Sequence, residues 1–324
     1  MNRDGEFLKL RMPMTVHSSH ALILLSIGLS LIHVNCGSFD QANTPCTPAV
    51  SSSPSPALGL PVKHVFIVVE ENHGFSEVIG NSNMPYLNSL ATTYALAKGY
   101  HANTHPSIGN YFMLTTGQII TNDDGFSGTV TEDNAARHLI QAGKTWKEYS
   151  ESLPSAGYTG GDSGGYVQHH NPFSYFSDVR DSPAQANNLV PFSQFSADLA
   201  SHTLPDFSFI VPDDSHNGHN GDLAAADNWL KTKIDPLIGG SDFNAPNGGL
   251  LIITFDESAT GDKFQGGGSV AWVAVGPNVK RGFTSATCFQ HQSTLRLMSE
   301  AIGLTSFPAA AATAPDMREF ISGN

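Results

Sequence analysis

Three short runs, Val65–Val69, Phe207–Val211 and Leu250–Phe255, are apolar at almost every position rather than at every second one. A strand of that kind must be covered on both faces, which is the situation of a parallel strand held between two layers of helices. Between and after these runs the period changes. Leu87, Leu90, Tyr94 and Ala97 recur at helical spacing and stop before Gly99, which predicts a helix with a glycine C-cap. Ala224–Ile238 and Gln292–Ile302 read as further helices, and Val270–Val275 as another strand. Alternating strands and helices over most of the chain predict a single three-layer α/β/α domain around a mainly parallel sheet. From Gly117 to Ser201 the pattern weakens and glycines cluster at 160, 161, 164 and 165. That stretch reads as a long insertion of loops with one helix, Asn134–Ala142. No internal repeat is visible.

The chain has 324 residues, 40% of them hydrophobic, enough to bury a substantial core. Lys and Arg number 16 against 29 Asp and Glu, a formal charge of −13. Gripping a nucleic-acid backbone needs clustered Lys and Arg, so a nucleic-acid scaffold is disfavoured as a partner. A small phosphorylated substrate is compatible with this balance, because a metal ion or a few local groups can hold one phosphate against an acidic background. Nothing in the sequence sets an oligomeric state.

The first 36 residues have the layout of an export signal. Arg3, Lys9 and Arg11 precede an apolar run from Ala21 to Val34, followed by Asn35, Cys36, Gly37 and Ser38. The run is shorter than the roughly 20 residues a membrane span needs. Cys36 stands where a lipoprotein would carry its lipid, although His33 and Asn35 depart from that pattern. The protein is thus expected to be exported, either free in the periplasm or medium or tethered to a membrane through Cys36. Residues 37–61, rich in Ser, Pro, Thr and Ala, read as a flexible tether, and residues 62–324 as the folded domain. Cys46 and Cys288 either pair in an oxidising compartment or stay as isolated thiols; the sequence leaves both open.

In sheets of this type ligands sit beyond the carboxyl ends of the strands. The first strand runs into Glu70, Glu71, Asn72 and His73, and the Leu250–Phe255 strand into Asp256 and Glu257. Carboxylate and amide oxygens from two parallel strands can converge on one hard divalent cation such as Mg, Mn or Ca. Ser107, within His105-Pro106-Ser107-Ile108-Gly109-Asn110-Tyr111, precedes a predicted helix. There its hydroxyl is either a cap or a nucleophile beside the positive helix end. The Gly-X-Ser-X-Gly elbow of other serine hydrolases is absent around it.

Taken together, Glu71-Asn72, the His105–Gly117 segment, His170-Asn171-Pro172-Phe173 and Thr254-Phe255-Asp256-Glu257 resemble, in order, the phosphoesterase family of bacterial and fungal acid phosphatases and phospholipases C, within the alkaline phosphatase superfamily. The resemblance runs from about Lys63 to about Leu304. It implies Ser107 as the nucleophile that forms a phosphoserine, and Asn110 as a phosphate ligand. Glu71, Asn72, Asp256 and Glu257 would hold one divalent metal, whether Mg, Mn, Ca, Fe or Zn. His170 and His219 would face the phosphate or the leaving group. His105 and His291 occupy matching positions and are assigned to substrate binding. The implied activity is that of an acid phosphatase hydrolysing phosphomonoesters. Two alternatives stand beside it: a phospholipase C-type phosphodiesterase, and a catalytically silent surface protein that binds a phosphorylated ligand. The chain departs from the family at Asn217 and Asn220, where Asp is usual, and carries an extra imidazole at His216.

Overall fold

The computed structural model describes residues 62–322. The expected export segment, Cys36, Cys46 and the tether lie outside the described residues. Cys288 is disulfide-bonded.

Ten strands occur among the described residues: β1 His64–Glu70, β2 Ala95–Ala97, β3 Tyr100–His101, β4 Trp146–Ser150, β5 Leu189–Pro191, β6 Phe207–Val211, β7 Gly249–Phe255, β8 Trp272–Val275, β9 Phe283–Ser285 and β10 Phe289–Gln290. Eight form the central sheet in the order β5-β4-β6-β1-β7-β8-β2-β9, and β10 pairs with β3 apart from it. All central pairings are parallel except those of β8, which runs against both β7 and β2. The three runs read from the sequence are the three adjacent middle strands, and every residue in them is buried. Helices cover both faces. On one face Tyr111 and Phe173 pack against Phe209, with ring centroids 6.3 and 5.6 Å apart. On the other, Phe195 and Phe243 pack against Phe66, at 6.4 and 6.1 Å. This is the expected three-layer α/β/α architecture around a mainly parallel sheet.

Two local expectations are corrected. The helix read as reaching Gly99 is Pro85–Thr93, and Ala95–Ala97 is instead strand β2 between β8 and β9. Small apolar residues suit either period, and tertiary pairing decides between them. The stretch after Gly117 is more than an insertion, because it supplies β4 and β5 of the central sheet. Lys147 and Glu148 hide β4 from an apolar-run criterion, yet both are paired. Lys147 Nζ donates to Asp198 Oδ2 at 2.5 Å, and Glu148 Oε2 accepts from Asn171 Nδ2 at 2.9 Å. The Asn134–Ala142 helix appears as Ala135–Gln141, with the Asn134 side chain capping Arg137 N. The last helix is His291–Ala301. Ala224–Ile238 is helical but broken by a π turn at Leu230–Ile234.

Candidate active site

β1 and β7 lie side by side in register from His64↔Gly249 to Glu70↔Phe255. The residues that follow them, Glu71-Asn72 and Asp256-Glu257, are therefore neighbours although 184 positions separate Asn72 from Asp256. Asp256 N donates to Glu70 O at 3.0 Å, and Asn72 N to Asp256 Oδ1 at 3.1 Å. Asn72 takes a left-handed backbone, φ 55°, which Asn tolerates better than most residues and which turns the chain sharply off the strand end. Ser107 is the first residue of the Ser107–Thr116 helix. Its Oγ lies 3.2 Å from Glu71 Oε2 and 3.4 Å from Asn72 Oδ1. One helical turn on, the Tyr111 hydroxyl donates to Glu71 Oε1. Three separate segments thus meet at one point.

The electrostatics there are unbalanced. Glu71 and Asp256 are fully buried and Glu257 nearly so. Burial, followed by repulsion from Asp256, pushes the Glu71 carboxyl well above the usual range. Asp256 is pushed up to about 8 by burial and then by Glu257, and Glu257 to about 8 by burial and then by Asp124. Asp256 Oδ2 has no hydrogen-bond partner. Like-charged buried oxygens with an orphaned acceptor fit a hard divalent cation, which would satisfy the acceptor and offset the repulsion. Asn72 bears on the same question. With its amide nitrogen turned inward it donates to Asp256 Oδ1 at 3.2 Å and Glu257 Oε1 at 3.3 Å, and accepts from His219 Nε2 at 3.3 Å. A proton-poor, cation-free cluster favours that orientation; a cation would favour the oxygen.

The remaining expected residues divide into two groups. His170 is buried and stacked on Tyr111 at 5.2 Å, with Nε2 3.3 Å from Glu71 Oε1 and Nδ1 3.7 Å from Asp214 Oδ1. Burial, then the nearby His169 and His219, lowers its pKa well below the usual imidazole value. His219 is exposed and is held by Asn217 Oδ1, which accepts from its backbone N at 2.8 Å. These two histidines stand at the cluster.

Asn110, His291 and His105, by contrast, are taken up by the protein itself. Asn110 Oδ1 accepts from Asn103 N and Thr104 N at 2.9 and 3.2 Å. Its Nδ2 donates to Thr104 O and Glu257 Oε2 at 2.8 and 3.2 Å. His291 Nε2 meets Asp256 O at 2.6 Å and Nδ1 meets the Tyr100 hydroxyl at 3.1 Å; burial lowers its pKa to about 4. His105 Nε2 meets Asp262 O at 2.8 Å, while Nδ1 lies 3.1 Å from Glu257 Oε2. In this structure Asn110 and His291 use their side-chain polar atoms within the protein, and His105 is held through Nε2 while its Nδ1 has no hydrogen-bond partner.

Tyr111 was within the family motif but had no role assigned; its position four residues after Ser107, hence on the same helical face, is the signal that could have supplied one. His216 belongs elsewhere. With Glu151 and Asp213 it forms a group of ligand-type atoms all within 4.8 Å of one another, a spacing the Glu71, Asp256 and Glu257 carboxylates do not reach by themselves.

The Phosphoesterase family matches residues 81–305. A phosphatidylinositol-3-phosphatase of Mycobacterium tuberculosis is 32% identical over 74% of this chain and 77% of its own length. A phosphate-repressible acid phosphatase of Penicillium chrysogenum is 30% identical over 73% of this chain, which spans 58% of that protein. A probable acid phosphatase of Kluyveromyces lactis is 28% identical, again over 73% of this chain and 57% of its own length. Among solved structures, a protein of the alkaline phosphatase superfamily from Vibrio parahaemolyticus superposes with TM-score 0.57 at 13% identity, covering 77% of this chain and 68% of that one. A lipoteichoic acid synthase from Listeria monocytogenes gives 0.59 at 9% identity, covering 82% and 78%. These two likenesses concern the fold alone. On the family match and the identity to its relatives, the chain belongs to the phosphoesterase family, hydrolases of phosphoric ester bonds.

Proposed function

We propose that this protein is an exported, metal-dependent phosphomonoesterase of the acid phosphatase type, with Ser107 as its nucleophile. The observation that carries the reading is the approach of Ser107 Oγ to Glu71 Oε2 and Asn72 Oδ1, at 3.2 and 3.4 Å, beside the orphaned Asp256 carboxylate. Glu71, Asn72, Asp256 and Glu257 would hold the cation. When bound, it supplies neutralisation of the buried carboxylates and acidification of the adjacent hydroxyl.

The chain's own groups do the rest. Glu71 Oε2 accepts from Ser107 Oγ and is placed to take its proton. Ser107 sits in the first helical turn, where the helix dipole favours negative charge. The Oγ–P bond forms as the ester P–O bond breaks, and the departing oxygen needs a proton. His219, exposed and with Nε2 within reach of Asn72, is the group positioned to give it. The Tyr111 hydroxyl donates to Glu71 and orients it, and His170 Nε2 lies 3.3 Å from the same carboxylate oxygen. Water then hydrolyses the phosphoserine and phosphate leaves.

Export is supported by the Cys288 disulfide, since such bonds persist in oxidising compartments. No helix among the described residues is long and apolar enough to cross a membrane. A second reading, in which the monoester is a phosphorylated lipid, is favoured by the relative named as a phosphatidylinositol-3-phosphatase.

The test is turnover of p-nitrophenyl phosphate by the purified, metal-supplemented protein. Ser107→Ala is expected to lose about a thousandfold or more in kcat/KM at an unchanged melting temperature. Retained turnover in that variant would remove Ser107 from its role. A strong preference for bis(p-nitrophenyl) phosphate would move the assignment to a diesterase, and phosphate binding without product would make the protein a silent binder. Phosphatidylinositol 3-phosphate against soluble monoesters separates the lipid reading from the general one.

A further inference from the structure

The loop after the nucleophile helix contains Asn122-Asp123-Asp124-Gly125-Phe126, and it is tightly built. Asp123 Oδ1 accepts from Gly125 N at 3.0 Å and Asp123 O from Phe126 N at 2.8 Å. Phe126 wedges against Phe112 of the helix and stacks on Tyr175, at 6.3 and 5.7 Å. Gly109 lets the loop close on the first helical turn, because a Cβ there would run into Asn122 Oδ1 and Thr104 Cγ2. The outcome is that the half-buried Asp124 accepts from Ile108 N at 3.1 Å. Ile108 N is the backbone amide immediately after the nucleophile.

Amides at the first turn of a helix are ordinarily donors for a phosphate. Here the amide next to Ser107 is already given to a carboxylate, and the positive helix end is partly offset by its charge. Asp124 acts electrostatically on Glu257 and on His169, raising the pKa of each, so its charge bears on the cluster itself.

We propose that Asp124 is a positioning residue that sets how tightly the site holds phosphate: it occupies the donor beside the nucleophile and repels the anion, so that product is released. This rests on the Ser107 reading above. Neither effect requires Asp124 to touch the reacting atoms.

The experiment measures the inhibition constant of inorganic phosphate against p-nitrophenyl phosphate in the metal-loaded protein. Asp124→Asn keeps an oxygen for Ile108 N but removes the charge; Asp124→Ala removes both. The proposal expects phosphate to inhibit Asp124→Asn at roughly three- to tenfold lower concentration, with KM falling in the same direction. An unchanged or higher inhibition constant in Asp124→Asn, at an unchanged melting temperature, would reduce Asp124 to a structural cap and overturn the proposal. Should turnover be too slow, the phosphate-induced rise in melting temperature gives the same affinity comparison. Performed in a Ser107→Ala background, that binding measurement stays valid without catalysis, so failure of the Asp124 proposal is distinguishable from failure of Ser107 as nucleophile.

Discussion

Two groups of acids stand at the carboxyl edge of the same sheet and differ in an instructive way. Glu151, Asp213 and His216 have ligand-type atoms within 4.8 Å of one another, yet they are only partly buried and partner one another. His216 Nδ1 lies 2.9 Å from Glu151 Oε2 and 3.1 Å from Asp213 Oδ1, and the Ser152 hydroxyl donates to Asp213 Oδ2 at 2.6 Å. Glu71, Asp256 and Glu257 are more loosely spaced but buried, mutually repelling and short of one hydrogen-bond partner. The proposed cation site is thus the group that is buried and mutually repelling, and the group with the closer donor atoms is the partly exposed one.

A third carboxyl sharpens the contrast. Glu148 is fully buried and, like Asp256 and Glu257, is pushed up to about 8 by burial. It has hydrogen-bond partners in Ser150 and Asn171. Both of its oxygens are partnered, whereas Asp256 Oδ2 is not. Glu70, on the opposite face of β1 from Glu71, is also fully buried and raised by burial and then by Asp227, and neither of its carboxyl oxygens has a hydrogen-bond partner.

The comparison can be broken at its strongest point first. Asp256→Asn should lower kcat/KM by about a thousandfold, because it removes the orphaned anionic ligand while keeping its shape. A loss under about tenfold would show that this carboxylate is not at the reacting centre.

Glu148 gives the next largest effect, on stability. Its pKa rises from a reference of 4.5 to about 8 on folding, so between those values the folded state binds the extra proton. Its contribution is fully present below about pH 4.5 and is lost as pH climbs toward 8, by at most roughly 1.4 kcal/mol per unit. Glu148→Gln cannot ionise, and its stability should fall by roughly 2–4 kcal/mol less than that of the wild type between pH 5 and 8. Denaturant unfolding at the two pH values checks this; parallel pH profiles for the two proteins would mean that Glu148 ionises normally. The smallest effect belongs to Glu151, Asp213 and His216. Glu151→Gln and His216→Ala should each leave kcat/KM within about threefold and cost no more than about 1 kcal/mol, as partly exposed ion pairs do. A loss as large as that of Asp256→Asn would merge the two groups into one centre.

Much of this arrangement could be read in the sequence, and the parts that could not have physical reasons. The buried middle strands announce themselves because residues covered on both faces need no alternation. The strand-end motifs could be paired once parallel strands were expected, since parallel register carries Glu71 beside Asp256. Strand β4 escaped because Lys147 and Glu148 are satisfied by Asp198, Ser150 and Asn171, distant or shielded partners that a local pattern does not reveal. Ala95–Ala97 escaped because three small residues fit either period. Among the histidines, residue type alone could not separate His219, which is exposed, from His291, which is wholly enclosed by Tyr100 and the Asp256 carbonyl. Asp124 was unreadable because its meaning depends on a loop folding back onto Ile108 N.

The most direct test of the central claim is a titration of metal-stripped protein with divalent cations, reading bound stoichiometry by calorimetry or elemental analysis. One ion per chain should bind the wild type, that ion should be lost in Asp256→Asn and Glu257→Gln, and it should persist in Glu151→Gln and His216→Ala. Binding that survives the first pair and disappears in the second would place the cation at Glu151, Asp213 and His216 and contradict this account of the active site.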